Sequence, residues 1–208
     1  MEMAKATLAP ADAWEQLRSG NERFVAGQPH HPSQSVSDRE RLAHGQRPKA
    51  VIFGCADSRV AAEIIFDQGL GDVFVVRTAG HVMDSAVLGS LEYAIRILNV
   101  PLIRHPRADS CGAVGAALQA IDGLHVPGGH IRDVVERVTP SILLGRSEGL
   151  STVDEFEARH VQETSRRMME RSSIIASAVA DGDTAIVGLT YQLADGHMHL
   201  HAVVGAIE

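Results

Sequence analysis

Short apolar runs alternate with longer amphipathic stretches along this chain. Residues 50–54, 73–76, 100–103 and 184–189 are rich in apolar side chains, many of them β-branched or aromatic, and they carry no charge. Such runs are typical of strands buried on both faces, as in a parallel sheet. Since longer stretches with helical spacing lie between them, we expect right-handed crossovers and an α/β fold, with a mostly parallel β-sheet flanked by helices.

The stretches between the runs carry apolar residues at helical spacing. In residues 84–98 one helical stripe is formed by Leu88, Leu91, Ile95 and Leu98. Asp84 or Ser85 can cap this helix. Residues 191–204 resemble a hairpin that ends in an edge strand. Further helices are predicted at residues 11–26, 61–68, 111–121, about 131–144 and about 152–180.

The first 48 residues form a helix and arm within the single domain that we expect over residues 1–208. Residues 11–26 are amphipathic, with Trp14 on the apolar side. Residues 28–48 are rich in Pro, Ser, Gln and His, which is typical of an extended arm or loop. Such an arm packs either over a neighbouring subunit or on its own domain, and the pattern leaves both open.

Composition and charge argue against several classes of partner. Of the 208 residues, 45% are hydrophobic and 22% are charged, which is the balance of a soluble globular protein. A net charge of −7 argues against nucleic acid or an anionic membrane as the main partner. No apolar run approaches the roughly 20 residues of a membrane span, and the first residues lack the layout of a signal peptide. We therefore expect a cytoplasmic protein.

Three reactive side chains directly follow the first apolar run. Cys55, Asp57 and Arg59 alternate, so they can point to one side at the carboxyl end of a buried strand, where α/β sheets place their sites. A thiolate and a carboxylate together invite a divalent metal, and the arginine can hold the carboxylate or release it. The second cysteine of the chain, Cys111, is either a buried structural thiol or a further ligand.

Four motifs resemble those of the bacterial β-class carbonic anhydrases, in the same order and over nearly the whole chain. The resemblance implies a parallel-centred sheet flanked by helices, an obligate homodimer that often pairs again into a homotetramer, and active sites near the dimer interface. The implied reaction is the zinc-dependent, reversible hydration of carbon dioxide to bicarbonate and a proton. The motifs are Cys55-Ala56-Asp57-Ser58-Arg59, Asp72-Val73-Phe74-Val75-Val76-Arg77-Thr78-Ala79-Gly80, Glu92-Tyr93-Ala94 and Asp109-Ser110-Cys111-Gly112-Ala113-Val114.

The resemblance also implies roles for individual residues. Cys55 and Cys111 would ligate one Zn²⁺. Asp57 would occupy the metal in a closed form and pair with Arg59 in an open one. Bound zinc supplies hydroxide at neutral pH because it lowers the pKa of its water to about 7. The substrate pocket of the family is matched here by Gln46, Phe74, Tyr93 and the backbone at Gly112.

The second half-site departs from the family pattern. Where the family has Gly-His-x-x-Cys-Gly, this chain reads Arg-Ala-Asp-Ser-Cys-Gly, so the position of the zinc-ligating histidine is Ala108. The preceding Arg104-His105-Pro106 puts charge and a proline into an apolar run. We expect weak zinc binding and low activity, because even outer-shell losses at zinc sites cost about 10–100-fold. His105 would replace the missing ligand only if the strand bulged.

A compensated frameshift accounts for the whole unusual segment. The family-like Val-Ile-Leu-Gly-His-Asp, written GTC ATC CTC GGG CAC GAC, becomes CGT CAT CCT CGG GCA GAC when one C is inserted in front and the last C of the histidine codon is lost. The new codons read Arg-His-Pro-Arg-Ala-Asp, which is identical to residues 104–109. The hypothesis covers both a real mutation and an error in reading the gene. In the latter case the native protein is an ordinary enzyme.

Two functions therefore remain open. The first is a zinc lyase that makes bicarbonate, and the second is a catalytically impaired or inactive homologue that keeps the fold and dimer assembly. A separate metal site is conceivable at His197, His199 and His201, which alternate and would share one face of a strand. A solvated edge strand is the simpler interpretation of these histidines.

Overall fold

A five-stranded sheet forms the centre of the protein, as described by a computed structural model over residues 8–123 and 125–207. The strand order is β2-β1-β3-β4-β5; the first four strands are parallel and β5 runs antiparallel to β4. The expected mostly parallel α/β sheet is thus confirmed, and so is its antiparallel edge strand. The strands are β1 (Ala50–Cys55), β2 (Val73–Thr78), β3 (Leu102–Ala108), β4 (Ala185–Tyr191) and β5 (Met198–Val204).

Helices cover both faces of this sheet. Each connection between parallel strands carries at least one helix, because a parallel pair needs a crossover. A 3₁₀ turn at Ala79–His81 follows β2. The α-helices are α1 (Pro10–Val25), α2 (Val36–Leu42), α3 (Ala62–Ile65), α4 (Ser85–Arg96), α5 (Gly112–Ile121), α6 (Ile131–Ser147), α7 (Val153–Arg171) and α8 (Ser173–Ala180).

The two faces of β1 serve two different cores. Ala50 and Ile52 pack with Leu17 of α1, whereas Val51 and Phe53 pack with Leu91 of α4 and with α8. All six residues of β1 are buried, which explains why the strand reads as a continuous apolar run rather than as an alternation. The N-terminal helix α1 therefore packs on its own domain.

The predicted loop over residues 28–48 is wrong in part, because it contains α2. The Ser35 hydroxyl accepts the Asp38 backbone N–H at 3.1 Å, and the Asp38 carboxylate accepts the Ser35 N–H at 3.1 Å. This reciprocal capping box starts a helix that the Pro- and Ser-rich composition conceals.

The single helix predicted over residues 152–180 is divided at Ser172. The Ser172 backbone is extended, and its hydroxyl accepts the Ile175 N–H at 3.1 Å, so it caps α8. The same hydroxyl donates to Glu92 of α4 at 2.6 Å, which ties the break to the neighbouring helix. Among the described residues, no helix combines the length and apolarity that crossing a membrane requires.

Strand β3 continues through the unusual segment, and all seven of its residues are buried. It pairs with β4 along its whole length, from Leu102 opposite Ala185 to Ala108 opposite Tyr191. Its recorded pairing with β1 includes Arg104 but not Pro106, which has no N–H to donate to a ladder. Pairing with β4 thus holds the segment in the sheet, beside a shortened ladder to β1.

Candidate active site

The carboxyl ends of β1 and β3 bring the two cysteines together. Cys55 is the last residue of β1, and Cys111 is the N-cap of α5, just after β3. Both thiols are buried, at 8% and 5% exposure, and they pack in one apolar cluster with Val114 and Val138. The structure therefore brings together the two sulfurs that the sequence pattern places far apart.

The two thiols shift each other's pKa in opposite directions. Hydrogen bonding from the Cys55 thiol lowers the pKa of Cys111 to about 5, and the nearby Arg107 charge acts in the same direction. The same contact raises the pKa of Cys55, as does its burial. The two shifts favour ionisation of Cys111 and retention of the proton on Cys55.

Asp57 is held by Arg59 in a bidentate pair. Arg59 Nε donates to Oδ1 at 3.0 Å and Nη2 to Oδ2 at 2.7 Å, and its backbone N–H also reaches Oδ1 at 2.9 Å. These hydrogen bonds lower the pKa of Asp57. Arg77 of β2 fastens the segment, because its guanidinium donates to the carbonyl oxygens of Cys55 and Asp57. This is the Asp57–Arg59 pairing that the resemblance implies for an open site.

The position beside Cys111 is taken by Arg107. Its Nη2 donates to the Cys111 sulfur at 2.9 Å, and its Nη1 donates to the Gly80 carbonyl at 3.3 Å. Ala108, the next residue of β3, packs in the other cluster, with α1 and Tyr191. The methyl group of Ala108 therefore lies among apolar side chains, and a guanidinium faces the thiolate.

A buried carboxyl group completes the site. Glu157 of α7 is 1% exposed, and its Oε1 accepts the Cys111 backbone N–H at 2.6 Å. Burial raises the pKa of this carboxyl to about 7. Sequence reasoning missed Glu157, because a lone glutamate within a charged helix carries no motif.

The residues present do not fit a resident zinc ion. Two sulfurs suit zinc, which is normally held in structural and catalytic sites by at least three protein ligands. Here the Asp57 carboxylate is engaged by Arg59, and the guanidinium of Arg107 lies against one of the two sulfurs. Over residues 8–123 and 125–207, no three His, Cys, Asp or Glu side chains converge on a point that could hold a metal.

The predicted substrate residues are divided between two ends of the sheet. Gly112 begins α5 beside Cys111. Phe74 of β2 lies opposite Val51 of β1, which is four residues before Cys55. Phe74 is therefore about 13 Å from Cys55 along the strands. The rings of Phe74 and Tyr93 are 6.3 Å apart, and Tyr93 is 47% exposed. The exposed Gln46 precedes β1, at the end opposite to Cys55.

The alternating histidines near the C-terminus have separate partners. His199 Nε2 lies 3.1 Å from Gln192 Oε1, and His201 Nε2 lies 2.8 Å from Thr190 Oγ1. His197 lies 3.3 Å from Asp195. In the described chain these three imidazoles do not form a metal site. His105 is likewise turned away, with its Nε2 2.7 Å from the Ser165 hydroxyl of α7.

Comparison with known proteins gives consistent similarities in sequence and in fold. The family profile described as carbonic anhydrase matches residues 50–198. Carbonic anhydrase 2 of Mycobacterium tuberculosis is 67% identical over 95% of this chain and 96% of its own length. A carbonic anhydrase of Mycolicibacterium smegmatis is 63% identical over the same shares.

Solved structures show the same architecture at low identity. A tetrameric β-carbonic anhydrase of Sordaria macrospora has a TM-score of 0.74 at 21% identity, covering 92% of this chain and 98% of that one. The β-carbonic anhydrase CcaA has a TM-score of 0.71 at 24% identity, covering 93% and 99%. At sequence identities this low, the similarity to these two structures establishes the fold alone.

Proposed function

Because this chain belongs to the β-class carbonic anhydrases, a family of lyases that hydrate carbon dioxide, we propose that its site serves the reversible, zinc-dependent conversion of CO2 to bicarbonate. We further propose that this activity is impaired in the present sequence. The supporting observation is the pairing of the Cys55 and Cys111 thiols at adjacent strand ends. The impairment follows from residues 107 and 108, which offer a cation and a methyl group where a ligand is needed.

Asp57 and Arg59 are the proposed catalytic residues beside the thiols. A carboxylate with a lowered pKa stays ionised at neutral pH, so Asp57 can accept a hydrogen bond from a reacting water while Arg59 orients it. Cys55, Cys111 and Asp57 remain the proposed zinc ligands, although the pairing with Arg59 must open before Asp57 can reach a metal.

A second copy of the chain is proposed to complete the substrate pocket. Gln46, Phe74 and Tyr93 cannot line the same pocket as Cys55 within one chain, because they lie well back along β1 and β2. Tyr93 is exposed beside the edge strand β2, where a partner subunit can meet it. We therefore propose a homodimer, or a homotetramer built from two such dimers, with CO2 and bicarbonate as the small-molecule partners. Two reduced thiols suit a reducing compartment, and we propose the cytoplasm.

A catalytically inactive homologue is the second candidate function, and one contact favours it. Arg107 already places a positive charge 2.9 Å from the Cys111 sulfur, so a divalent cation there would meet like-charge repulsion. In this alternative the fold and its dimer persist without CO2 hydration.

Stopped-flow CO2 hydration and zinc analysis of two proteins test both proposals. The first protein is the chain as it stands. The second carries the family-like segment, with Arg104→Val, His105→Ile, Pro106→Leu, Arg107→Gly and Ala108→His. We expect little zinc and at least about 100-fold lower activity in the first protein, with about one zinc per chain and full activity in the second.

Two results would contradict the proposals. Full zinc content and full activity of the unaltered chain would rule out impairment. A folded, zinc-loaded second protein without activity would rule out CO2 hydration at this site. An undetectable rate in the unaltered chain, with activity in the second protein, would favour the inactive homologue.

A further inference from the structure

A small polar cavity lies between the 3₁₀ turn, α6 and α7, and neither cysteine lines it. Its volume is about 40 Å³, which is room for about three waters or one small ion. Three arginines from two helices line it. The lining residues used below are His81, Arg137, Ser141, His160, Arg167 and Arg171.

Positive charge is in excess around this cavity. Arg137 forms no ion pair within the described chain. Arg171 Nη1 donates to the Met83 carbonyl, which leaves its charge uncompensated. Arg167 pairs with the buried Glu163 carboxylate, which also lines the cavity and is shared with Arg159 and Arg166. Arg159 and Arg166 have Glu148 and Glu170 as further partners, so Glu163 is the one carboxylate among the lining residues, against three arginines. Such an excess is notable in a chain whose net charge is −7.

One buried nitrogen in the cavity wall is also unsatisfied. His81 is 2% exposed, and its Nδ1 has no hydrogen-bond partner among the described residues. Buried polar atoms are normally paired, so an unpaired one at a cavity indicates a ligand or water. The neighbouring His160 is fully engaged, with Nδ1 at 2.7 Å from Ser141 Oγ and Nε2 donating to the Gly80 carbonyl at 3.1 Å.

We propose that this cavity binds a small oxyanion that carries a hydroxyl group, with Arg137 and Arg171 as its main charged contacts. His81 Nε2 donates to the Phe53 carbonyl at 2.9 Å, so the unpaired Nδ1 of this neutral ring accepts a hydrogen bond from that hydroxyl. Guanidinium groups match the planar, multi-oxygen edge of such an anion, and the volume excludes a nucleotide or a peptide. Bicarbonate and inorganic phosphate share this chemistry. The cavity is distinct from the thiol site, although the Gly80 carbonyl accepts hydrogen bonds from both His160 and Arg107.

Calorimetric titration with sodium phosphate and, separately, sodium bicarbonate tests the proposal at constant ionic strength. The variants are Arg137→Gln alone and Arg137→Gln with Arg171→Gln. The matched control is Arg18→Gln with Arg132→Gln, which removes the same charge from two exposed arginines outside the cavity. Arg137→Gln alone guards against unfolding, because Arg137 is exposed and its side chain forms no hydrogen bond with the described part of the chain.

We expect saturable binding to the unaltered chain, at least about 10-fold weaker binding in the double variant, and unchanged binding in the control. Binding of bicarbonate alone would identify the proposed product as the ligand, and binding of both would identify a general oxyanion site. Because bicarbonate is also the proposed product of the thiol site, its binding is assigned to this cavity only if it weakens in the double variant and not in the control. No saturable binding of either anion, or equal loss in the control, would overturn the proposal.

Discussion

The guanidinium of Arg107 acts on Cys111 as a fixed cation. It lies 2.9 Å from the sulfur within an apolar cluster, where charges interact more strongly than in water. Together with the donated Cys55 proton, it keeps Cys111 ionised. A purely structural pair of thiols would not need a guanidinium beside it. The contact between Arg107 and Cys111 therefore determines how readily Cys111 ionises in this sequence.

Replacing Arg107 with methionine should raise the pKa of Cys111 from about 5 towards its ordinary value, because one of the contacts that stabilise its thiolate is lost. Thiolate absorbance near 240 nm, followed across pH, measures this. Arg104→Met is the matched control, since Arg104 is a buried arginine of the same strand that packs against Trp14 and Phe66. An unshifted thiolate titration in Arg107→Met would contradict the contact.

Arg104 is a buried arginine without a carboxylate partner among the described residues. It is 1% exposed, its Nε and Nη1 have no partner in the described chain, and burial lowers its pKa well below the usual range. Its guanidinium lies 3.7 Å from the centre of the Phe66 ring and 4.8 Å from that of Trp14. Cation–π contacts contribute about 2 kcal/mol when desolvated, less than the several kcal/mol that burying an ion costs.

Arg104→Met should therefore stabilise the protein, by about 1–3 kcal/mol. Urea unfolding at neutral pH measures the free energy of unfolding, and an unchanged m-value would show that the transition is comparable. Arg132→Met, on the surface of α6, should change it by less than about 0.5 kcal/mol. Destabilisation by Arg104→Met would mean that the aromatic contacts outweigh desolvation.

At the scale of elements, β3 determines whether the site can hold a metal. Its residues alternate between two faces: Arg104 and Ala108 pack towards α1, while His105 meets α7 and Arg107 meets Cys111. A single substitution at position 108 therefore leaves the Arg107 guanidinium against the Cys111 sulfur and keeps the strand register that places position 108 in the apolar cluster. The five-residue variant removes the guanidinium and the buried Arg104, so the end of β3 is expected to adopt a different arrangement there.

Ala108→His alone should not restore zinc. The imidazole would enter a cluster in which Ala108 is 1% exposed, and overpacking of this kind costs about 1–3 kcal/mol. Metal analysis should find less than half a zinc per chain, compared with about one in the five-residue variant described above. Stoichiometric zinc in Ala108→His would show that the end of β3 rearranges freely.

The success of prediction from the sequence differs between elements. The pattern predicts β1 and β2, because buried parallel strands are local signals, and it leaves Asp84 and Ser85 as alternative caps of α4, of which the structure has Asp84. It misses α2, whose short capping box is masked by polar composition. It predicts only the beginning of β3, at residues 100–103, because the following Arg-His-Pro-Arg contradicts the local preference of a buried strand. Pairing with β4 holds these residues in the sheet.

The candidate site shows the same division between local and tertiary signals. Cys55, Asp57 and Arg59 lie within five residues, so their convergence is readable from the chain. The contacts of Cys111 with Arg107 and Glu157 depend on how β3 and α7 meet, and no spacing rule reports them. Four of the five unsatisfied buried side-chain atoms among the described residues belong to residues 104–107, which marks the segment that a frameshift would have produced.

At the scale of the whole molecule, buried histidines couple stability to pH. His81, His105 and His160 are all buried, and desolvation is the main cause that lowers the pKa of each; for His105 it falls to about 3. Since the unfolded chain has ordinary histidines, it binds more protons than the folded chain below about pH 6.5. Stability is therefore fully present above that pH and is lost on acidification.

Glu157 acts in the opposite direction. Its folded pKa of about 7 exceeds the ordinary 4.5, so between these values the folded chain holds one extra proton and gains stability as the pH falls. Three fully buried histidines against one glutamate leave a net difference of about two protons, and the half-buried His201, whose pKa is also lowered by burial, acts in the same direction as the histidines. At about 1.4 kcal/mol per pH unit for each, the free energy of unfolding should fall by about 2.7 kcal/mol per unit between pH 6 and 5.

Urea unfolding at pH 7.5, 6 and 5 measures this slope. His105→Ile should reduce it by about 1.4 kcal/mol per pH unit, because it removes one of the three buried proton acceptors. His130→Gln on the surface is the control for a lost imidazole and should leave the slope unchanged. A flat profile between pH 6.5 and 5 would show that the buried rings take up protons without unfolding.

Carboxylates with lowered pKa, such as Asp67 and Glu163, add their own losses of stability at lower pH. The window above pH 4.5 is therefore the one in which the histidines of β3, α7 and the 3₁₀ turn determine the stability of the whole fold.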